Sequence, residues 1–319
     1  MVHNTLIGGT AYQVVSGICN ANGTNYNISN GKTLESGTGY DISFSDLPKV
    51  GTPLNDCSWE QIRAISDAGE AANYFSVGDI KTITINGTVG ATKFSNLSID
   101  VFIIGIDHNS AREGTNRIHF QLGKINGVEV ALIDSNYSKY GSTSGWFSMN
   151  TGKLSGGTTY SSNDGGWEAC DMRRTILGSD SAPGSPRANT LLAALPADLR
   201  AVMKAVTKYT VNADYNPDRD VDATATTEHL PLLAACEMYE SSTAASSYEK
   251  SFQAEYDYYK AGNNTVKKKH NATGTACGWW LRSPDKSATG FCWAAAASAD
   301  GISSKSASQA YGVSPLFCV

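Results

Sequence analysis

The sequence predicts an α+β protein in which a small region of β-repeats precedes one larger domain. Glycine and tyrosine are abundant, at 31 and 15 of 319 residues, and this composition favours short strands and tight turns. Strand patterns occur between about residues 74 and 132, with alternation over Val77–Gly87 and a largely apolar run over Ile99–Ile106, whereas helical spacing recurs between about 165 and 262. A hydrophobic content of 41% in a chain of this length is sufficient for a large core.

The first 50 residues contain an internal repeat. The units Gly9–Val14, Gly23–Ile28 and Gly37–Ile42 follow one another at a constant spacing of 14 residues. Each unit is typical of a turn followed by a strand with one buried face. Because such an array buries little apolar surface alone, we expect residues 1–50 to pack on the main domain or on copies of themselves and to serve attachment or oligomerisation.

The main domain is expected to cover residues 58–319 and to begin with a helix. Ser58 can cap a helix that carries Trp59, Ile62 and Ile65 on one face and ends near Gly69. Strands are predicted next, over Val77–Gly87, Ile99–Ile106, Phe120–Gly123 and Val128–Leu132.

A helical section is predicted at about 165–262, before the final strands. Four helices are expected there: Trp167–Leu177 ending at Gly178, one opened by Pro196, His229–Tyr239, and Tyr248–Lys260.

The last 42 residues consist of two segments rich in aromatic residues and proline, separated by a segment rich in alanine and serine. Aromatic residues and prolines mark the segments Gly278–Pro284 and Tyr311–Val319, whereas eight alanines and six serines lie between Asp285 and Tyr311. The middle segment also contains Phe291, Cys292, Trp293 and Ile302, which a flexible linker does not need. The pattern indicates a fixed apolar frame that holds loops of tolerant sequence.

Charge and hydropathy exclude two kinds of partner. A net charge of -5 argues against a surface that follows nucleic-acid phosphates. No apolar stretch approaches the roughly 20 residues of a membrane span, so membrane insertion is not expected. The first 30 residues lack a signal-peptide pattern, which predicts synthesis in the cytosol. The basic run at 267–270 is interpreted as a solvated loop.

The seven cysteines include no CxxC pair. We expect them to be reduced and mostly buried. The alternative is a disulfide between Cys292 and Cys318 as cross-strand neighbours.

No metal or cofactor is expected. One polar group is interpreted as a strand-end turn rather than a metal or acid–base site, because the chain has no HxH or HExxH spacing. This group consists of Asp107, His108 and Asn109 with His119. Asn163 and Asp164 invite comparison with calcium-dependent sugar sites, but the Glu-Pro-Asn or Gln-Pro-Asp type of triplet is absent.

Six short blocks, in order, resemble a domain of tail-fibre-like proteins from prophages of gut Firmicutes. The blocks are Phe75–Asp79, Ile104–Asn109, Gly165–Trp167 with Met172 and Arg173, Leu195–Arg200, Trp279–Pro284 and Gly312–Pro315. The resemblance covers about residues 58–319. It implies a C-type lectin-like fold, shared with formylglycine-generating enzymes and related to the variable proteins of diversity-generating retroelements.

The resemblance also implies a function and a site. The protein is expected to be a non-enzymatic receptor-binding protein, and residues 285–311 are expected to vary and to contact a protein or glycan on a host or target cell. It would be located in a phage tail, or made from a prophage in the bacterial cytoplasm, or displayed at the cell surface, with a homotrimer as the expected assembly. The predicted exposed contact residues are Ser287, Thr289, Ala294, Ala296, Ser298, Ser303, Ser304, Ser306, Ser308, Ala310 and Tyr311, with Tyr311 as the leading candidate.

Four residues of this region are assigned to the scaffold: Trp279, Trp280, Arg282 and Trp293. Two alternatives to the binding function remain open. A fold-related cysteine-dependent oxidase would use Cys277, Cys292 and Cys318, although no charge pattern around them suggests stabilised thiolates. A purely structural tail component would have no ligand face.

Overall fold

A computed structural model describes the backbone of six N-terminal strands and, with side chains, residues 47–135, 137, 147–150, 163–212, 221–263, 266–272, 274–286, 289–295 and 301–319. The fold is mixed α+β, with many strands and short helices. The strands are β1 His3–Ile7, β2 Thr10–Val15, β3 Ile18–Ala21, β4 Thr24–Asn27, β5 Asn30–Glu35, β6 Thr38–Ser43, β7 Ile80–Val89, β8 Thr92–Ile106, β9 Ile118–Ile125, β10 Val128–Ala131, β11 Val206–Thr210, β12 Thr224–Glu228, β13 Lys267–Lys269, β14 Ala276–Cys277, β15 Trp279–Pro284, β16 Gly290–Ala294, β17 Ile302–Ser306 and β18 Leu316–Cys318.

The α-helices are α1 Trp59–Asp67, α2 Ala71–Tyr74, α3 Ser110–Glu113, α4 Gly166–Ala169, α5 Leu191–Ala194, α6 Ala197–Val202, α7 Ala235–Met238, α8 Ser247–Phe252 and α9 Asp257–Lys260. A 3-10 helix covers Leu54–Asp56 and a π-helix covers Met172–Leu177. Within the described ranges, no helix is long and apolar enough to cross a membrane.

The N-terminal repeats form strands. The four strands β1 to β4 pair in sequence as an antiparallel sheet, and β5 pairs with β6 as a hairpin. The strands β2, β4 and β6 each begin at the threonine of a repeat unit. Each 14-residue period contains two strands, β2 with β3 and then β4 with β5. The attachment or oligomerisation role of residues 1–50 stays a prediction.

The predicted first helix is confirmed. Ser58 and Gln61 form a capping box: the Gln61 backbone N–H donates to Ser58 Oγ at 3.1 Å, and the Ser58 backbone N–H donates to Gln61 Oε1 at 2.8 Å. Trp59, Ile62 and Ile65 are buried. The helix is followed by Gly69 at φ +74°, a conformation that glycine adopts without steric cost.

A seven-stranded sheet organises the core. Its order is β14-β13-β10-β9-β8-β7, and the last strand, β18, also pairs with β9. Only β10 and β13 are parallel among these pairs. Alternate residues of β8 enter two separate apolar clusters, since Val101 and Ile103 belong to one and Phe102 and Ile104 to the other. The sheet is therefore covered on both faces here, as the continuous apolar run predicts.

The helical section is the part of the fold that differs most from the prediction. The section also contains the hairpin of β11 and β12. The helix predicted over Trp167–Leu177 is split into α4 and the π-helix before Gly178. The predicted helix at 229–239 is confined to α7, because the extended chain before it bonds to the C-terminal strands: Arg282 N–H donates to Leu233 O and Leu316 N–H to Pro231 O, both at 2.8 Å. The predicted fourth helix is likewise divided into α8 and α9.

The basic run is a strand, so its interpretation as a solvated loop is wrong. Lys267 is fully buried in β13, and its Nζ lies 3.0 Å from the Glu129 carboxylate. The ammonium also lies 4.9 Å from the centre of the Trp279 ring. An ion pair and an aromatic face together compensate the desolvation of this lysine.

Candidate functional site

The predicted binding region lies on a three-stranded antiparallel sheet. Its order is β15-β16-β17, which makes β15 and β17 the outer strands of this sheet. Trp279 and Trp280 face opposite sides, as adjacent strand residues must. Both have no exposed surface, because a different apolar cluster covers each face of β15.

Three aromatic residues support one side of this sheet. The Tyr311 ring lies 5.2 Å from the Trp280 ring and 4.5 Å from the Trp293 ring, between centroids. Trp280 Nε1 donates a hydrogen bond to the backbone oxygen of Phe147 at 2.9 Å. A Cβ on Gly278 would lie 1.5 Å from the Trp293 ring, so this position requires glycine. The scaffold assignment of Trp279, Trp280 and Trp293 agrees with this packing.

The exposure predicted for the contact residues is correct for some and wrong for others. Thr289, Ser303 and Ser306 are exposed, and Ser304 and Ser308 are half-buried. Exposure was wrongly predicted for Ala294, Ala310 and Tyr311, which are at most 2% exposed. Ala294 points into the apolar cluster under β16, and Tyr311 belongs to the aromatic group just described. Ser287, Ala296 and Ser298 lie outside the described residues.

Asn163 positions the turn between β15 and β16. Its buried Nδ2 donates to the backbone oxygen of Gly290 at 2.6 Å and to that of Asp285 at 3.3 Å. The turn itself closes through the Asp285 N–H, which donates to Gly290 O at 3.0 Å. The amide therefore fixes the backbone from which Thr289 projects. Sequence reasoning considered Asn163 only as a calcium ligand and missed this role.

Arg282 is a fully buried tie, as the scaffold assignment expects. One of its nitrogens, Nη1, lies 2.6 Å from Glu237 Oε2 and 2.6 Å from the backbone oxygen of Leu232. Its Nε donates to Thr210 Oγ1 at 3.1 Å, and Nη2 donates to Gln253 Oε1. The guanidinium thus joins β15 to β11, α7 and the segment between α8 and α9.

A second buried cation, Lys208, shares the Glu237 carboxylate. Its Nζ lies 2.8 Å from both oxygens of Glu113, 2.7 Å from Glu237 Oε1 and 2.9 Å from the Tyr256 hydroxyl. The side chains of Lys208, Glu113 and Glu237 have no exposed surface. We refer to Glu113, Lys208, Glu237, Glu249 and Arg282 as the charged cluster.

The carboxylates of this cluster differ in pKa because their partners differ. Burial would raise the pKa of Glu237, but Arg282 and Lys208 outweigh it and lower that pKa well below its ordinary value. Burial raises the pKa of Glu113, and the nearby cations Lys208 and Arg282 offset this only partly. Burial would lower the pKa of Lys208, yet the two carboxylates outweigh it and raise that pKa. Glu237 is thus a permanent anion between two permanent cations.

Glu249 is the titratable member of the cluster. Its carboxylate accepts hydrogen bonds from the Ser283 hydroxyl and from the Val211 N–H at 3.2 Å. Burial raises its pKa to about 7, even though Ser283 and Arg282 favour the ionised form. Ionisation of this group near neutral pH places an extra charge directly behind β15.

The strand-end segment at residues 107–109 forms a polar turn. Asp107 Oδ1 accepts from the Arg117 N–H at 2.9 Å, and Asn109 Nδ2 donates to the Phe252 backbone oxygen at 2.7 Å. His108 stacks on Tyr256, with ring centres 3.7 Å apart. Burial lowers the pKa of His108 to about 3, so the ring is neutral. This geometry agrees with the predicted strand-end turn.

His108 also belongs to a compact group with Glu113 and Glu237. Potential metal-ligand atoms of the three residues lie within 4.8 Å of one another. The ammonium of Lys208 already contacts both carboxylates. A resident cation therefore compensates the acidic pair, and the group is an ion network of the core.

The prediction of reduced, buried cysteines is confirmed for the cysteines that the structure describes, and the alternative of a disulfide between Cys292 and Cys318 is wrong. Cys292 and Cys318 are both free and buried, as are the other four cysteines with described side chains. Cys292 lies opposite Ser304 of β17, whereas Cys318 lies opposite His119 of β9. The two residues belong to different sheets and are not cross-strand neighbours.

Sequence reasoning missed most of the charged cluster. Lys208 occupies a buried position of a strand whose burial alternates, Val206–Thr210. A lysine at an inward strand position signals a buried partner, but this signal is readable only once the strand itself is recognised. Glu113, Glu237 and Glu249 lie on helices of four to six residues, too short for helical periodicity to assign a buried face.

Comparison with known protein families gives one result. A family model described as a domain of unknown function, DUF6273, matches residues 130–319, more than half of the chain. No curated protein and no solved structure matches the chain.

Proposed function

The chain belongs to the DUF6273 family, and we propose that it is a non-enzymatic binding protein that presents its C-terminal sheet to a protein or glycan on a cell surface. The resemblance of residues 58–319 to tail-fibre-like prophage proteins with a C-type lectin-like fold points to phage tail or host recognition. It also points to a surface diversified by a retroelement. We call Thr289, Ser303 and Ser306, with the half-buried Ser304 and Ser308, the β17 face.

The contrast between β15 and β17 carries this proposal. All six residues of β15 are buried, whereas none of the five residues of β17 is. The exposed side chains of the β17 face are small hydroxyls that contribute little to the core. A sheet with one fully buried outer strand and one outer strand of small exposed residues can change its contact surface at little cost in stability.

The packing around β15 favours a proposed binding surface that is held in one conformation. Arg282 ties β15 to three other segments, and Asn163 fixes the turn that carries Thr289. Binding surfaces on rigid elements lose little conformational entropy when a partner docks. Small hydroxyl side chains supply few energetic hot spots, so this variant is expected to bind weakly as a monomer. Several copies acting together, as in the proposed homotrimer, would compensate.

The state of the cysteines favours binding over thiol chemistry. Burial raises the pKa of Cys277 to about 11 and that of Cys318 to about 12, and it raises the pKa of Cys292 strongly. A cysteine-dependent oxidase needs an accessible thiolate near neutral pH. Native-state alkylation with iodoacetamide separates the two functions: the proposal expects these three thiols to be labelled only after unfolding, whereas rapid labelling at pH 7 would revive the oxidase.

Natural variation tests the diversified surface. Deep sequencing of the 3′ end of the gene in a natural population is expected to show substitutions clustered at adenine-derived codons within 285–311, including those of the β17 face. Residues 279–284 and 312–319 should remain constant. Uniform sequences across the population would remove the diversification and leave a binder of fixed specificity or a structural tail protein.

A substitution experiment tests binding itself. Thr289, Ser303 and Ser306 are replaced together by aspartate, and the matched control replaces Thr84, Thr88 and Ser98, three exposed hydroxyl residues of β7 and β8. Adsorption of the labelled protein to intact cells from the source community is then measured. The proposal expects a loss of adsorption for the first variant only, and equal adsorption of both variants would overturn it.

A further inference from the structure

An open cleft of about 380 Å³ lies beside the tip of the β9–β10 hairpin. It is lined by residues of the hairpin, of α9 and of the chain before and within β13, among them Lys124, Val128, Glu129, Tyr258, Asn263 and Lys268. No residue of the β17 face lines it. The volume falls within the range of about 300–1,000 Å³ that is usual for small-molecule sites.

Lys124 is the distinctive side chain of this cleft. Its Nζ lies 4.3 Å from the centre of the Phe102 ring and 5.0 Å from that of Tyr258. The residue is half-buried, and burial lowers its pKa. No hydrogen-bond acceptor of this ammonium lies in the part of the chain that is described. Its cross-strand neighbour Glu129 favours the charged form, as does Asp100, and two aromatic faces lie against it.

The neighbouring carboxylates are occupied by other donors. Glu129 accepts from the Tyr258 hydroxyl at 2.6 Å through Oε1 and from Lys267 at 3.0 Å through Oε2. Asp100, cross-strand from Lys124, accepts from the Thr82 hydroxyl at 2.7 Å. Among the described residues that line the cleft, Lys124 and Lys268 accompany one carboxylate, that of Glu129, which the buried Lys267 already neutralises. The local charge is positive in a protein whose net charge is -5.

We propose that this cleft binds a small oxyanion, either the carboxylate of an acidic sugar or the phosphate of a polyol phosphate. Lys124 pairs with the anion in a partly desolvated position, where a charge pair is stronger than in open water. The Tyr258 ring and the exposed side chain of Val128 offer apolar contact to the carbon skeleton of the ligand. The site does not depend on the β17 face, so it stands even if that face binds nothing.

Titration calorimetry of the full chain tests the site. The probes are inorganic phosphate, glucuronate and uncharged glucose, in Tris buffer at constant ionic strength. The variants are Lys124→Gln and Lys268→Gln. The matched control is Lys305→Gln, since Lys305 is also half-buried and lies 5.3 Å from the centre of an aromatic ring, that of Trp293, but outside the cleft.

The proposal expects saturable binding of at least one anion at a single site, weakened about 10-fold by Lys124→Gln and unchanged by Lys305→Gln, as for the loss of one charge-assisted hydrogen bond. Binding of phosphate alone identifies a polyol phosphate as the natural ligand class, and binding of glucuronate alone identifies an acidic sugar. Non-saturable heats for both anions, equal binding of glucose, or equal weakening by the Lys305 variant would overturn the site.

Amide chemical shifts give a readout that does not depend on the Lys124 variant folding. In the ¹⁵N-labelled wild-type chain, addition of the bound anion is expected to shift the amide signals of Gly127, Val128 and Asn263 along one saturation curve. Shifts confined to residues outside the cleft would contradict the proposal.

Discussion

The two outer strands of the C-terminal sheet, β15 and β17, differ in burial although they belong to the same small sheet. Every residue of β15 is buried, and its Arg282 and Ser283 are hydrogen-bonded to the charged cluster. In β17 the exposed residues Ser303 and Ser306 lie outside both apolar clusters. We therefore expect tolerance to substitution to depend on what covers a strand and not on its secondary structure.

The largest expected effect comes from removing the cation that compensates two buried carboxylates. Lys208→Met leaves Glu113 and Glu237 without a shared partner, so we expect a loss of about 4 kcal/mol in the free energy of unfolding. Urea denaturation measures it, with Lys305→Met as the control for loss of a lysine charge. A loss below about 1 kcal/mol would mean that Arg282 alone holds the cluster.

The pH dependence of stability sharpens the comparison, because Glu249 contacts Ser283 of β15. Its folded pKa of about 7 lies above the ordinary value of 4.5. The folded state therefore binds this proton more tightly, so the stabilisation is fully present below about pH 4.5 and is lost as pH rises through 7.

Glu249→Gln keeps a neutral group of similar shape and removes this dependence. Relative to the variant, the wild-type chain is expected to lose roughly 3 kcal/mol of unfolding free energy between pH 5 and pH 8. Denaturation curves for both proteins at several pH values test this. Parallel stability profiles would show that Glu249 does not titrate in this window.

Replacement of Tyr311 tests whether this side chain is part of the core, as the structure shows, or an exposed contact residue, as the sequence predicted. Because its ring packs against Trp280 and Trp293, Tyr311→Ala is expected to destabilise the fold by about 3 kcal/mol. If Tyr311 were an exposed contact residue, thermal denaturation of the variant would match that of the wild-type protein.

The smallest effects are expected on β17. Ser303→Ala and Ser306→Ala should change the unfolding free energy by less than about 0.5 kcal/mol. Ser283→Ala, at a buried serine bonded to Glu249 and to the Ala235 N–H, should cost about 1–3 kcal/mol. Equal costs at exposed and buried serines would break the contrast between the two strands.

Local patterns predicted the simpler parts of the fold. The capping residue and apolar spacing placed α1 correctly, alternation placed β7, and an apolar run placed the second half of β8. The strands β9 and β10 were predicted as continuations of the same sheet. The helical section was predicted less well. Its apolar residues suit helical spacing, but the chain at 229–234 is extended because it bonds to β15 and to the chain end. Competition from such distant partners is not visible in a local window.

For the candidate site as well, some features were predicted from the sequence and others were not. The structural roles of Trp279, Trp280 and Arg282 were predicted from their residue types, since adjacent tryptophans suit the two faces of a packed strand and a guanidinium can tie a loop to a carboxylate. The burial of Ala294, Ala310 and Tyr311 was not recognisable, because alanine and tyrosine occur both inside and outside folded proteins. The charged cluster was missed because its members come from α3, β11, α7, α8 and β15.

The sequence by itself determined the mixed α+β class, the 14-residue repeat and the capped first helix, because each depends on spacing between near neighbours. Only the tertiary structure decided which side chains of the C-terminal sheet remain exposed, why Lys267 is buried, and how Lys208 and Arg282 share Glu237. These features depend on residues far apart in the chain, and burial and charge compensation arise only when such residues meet.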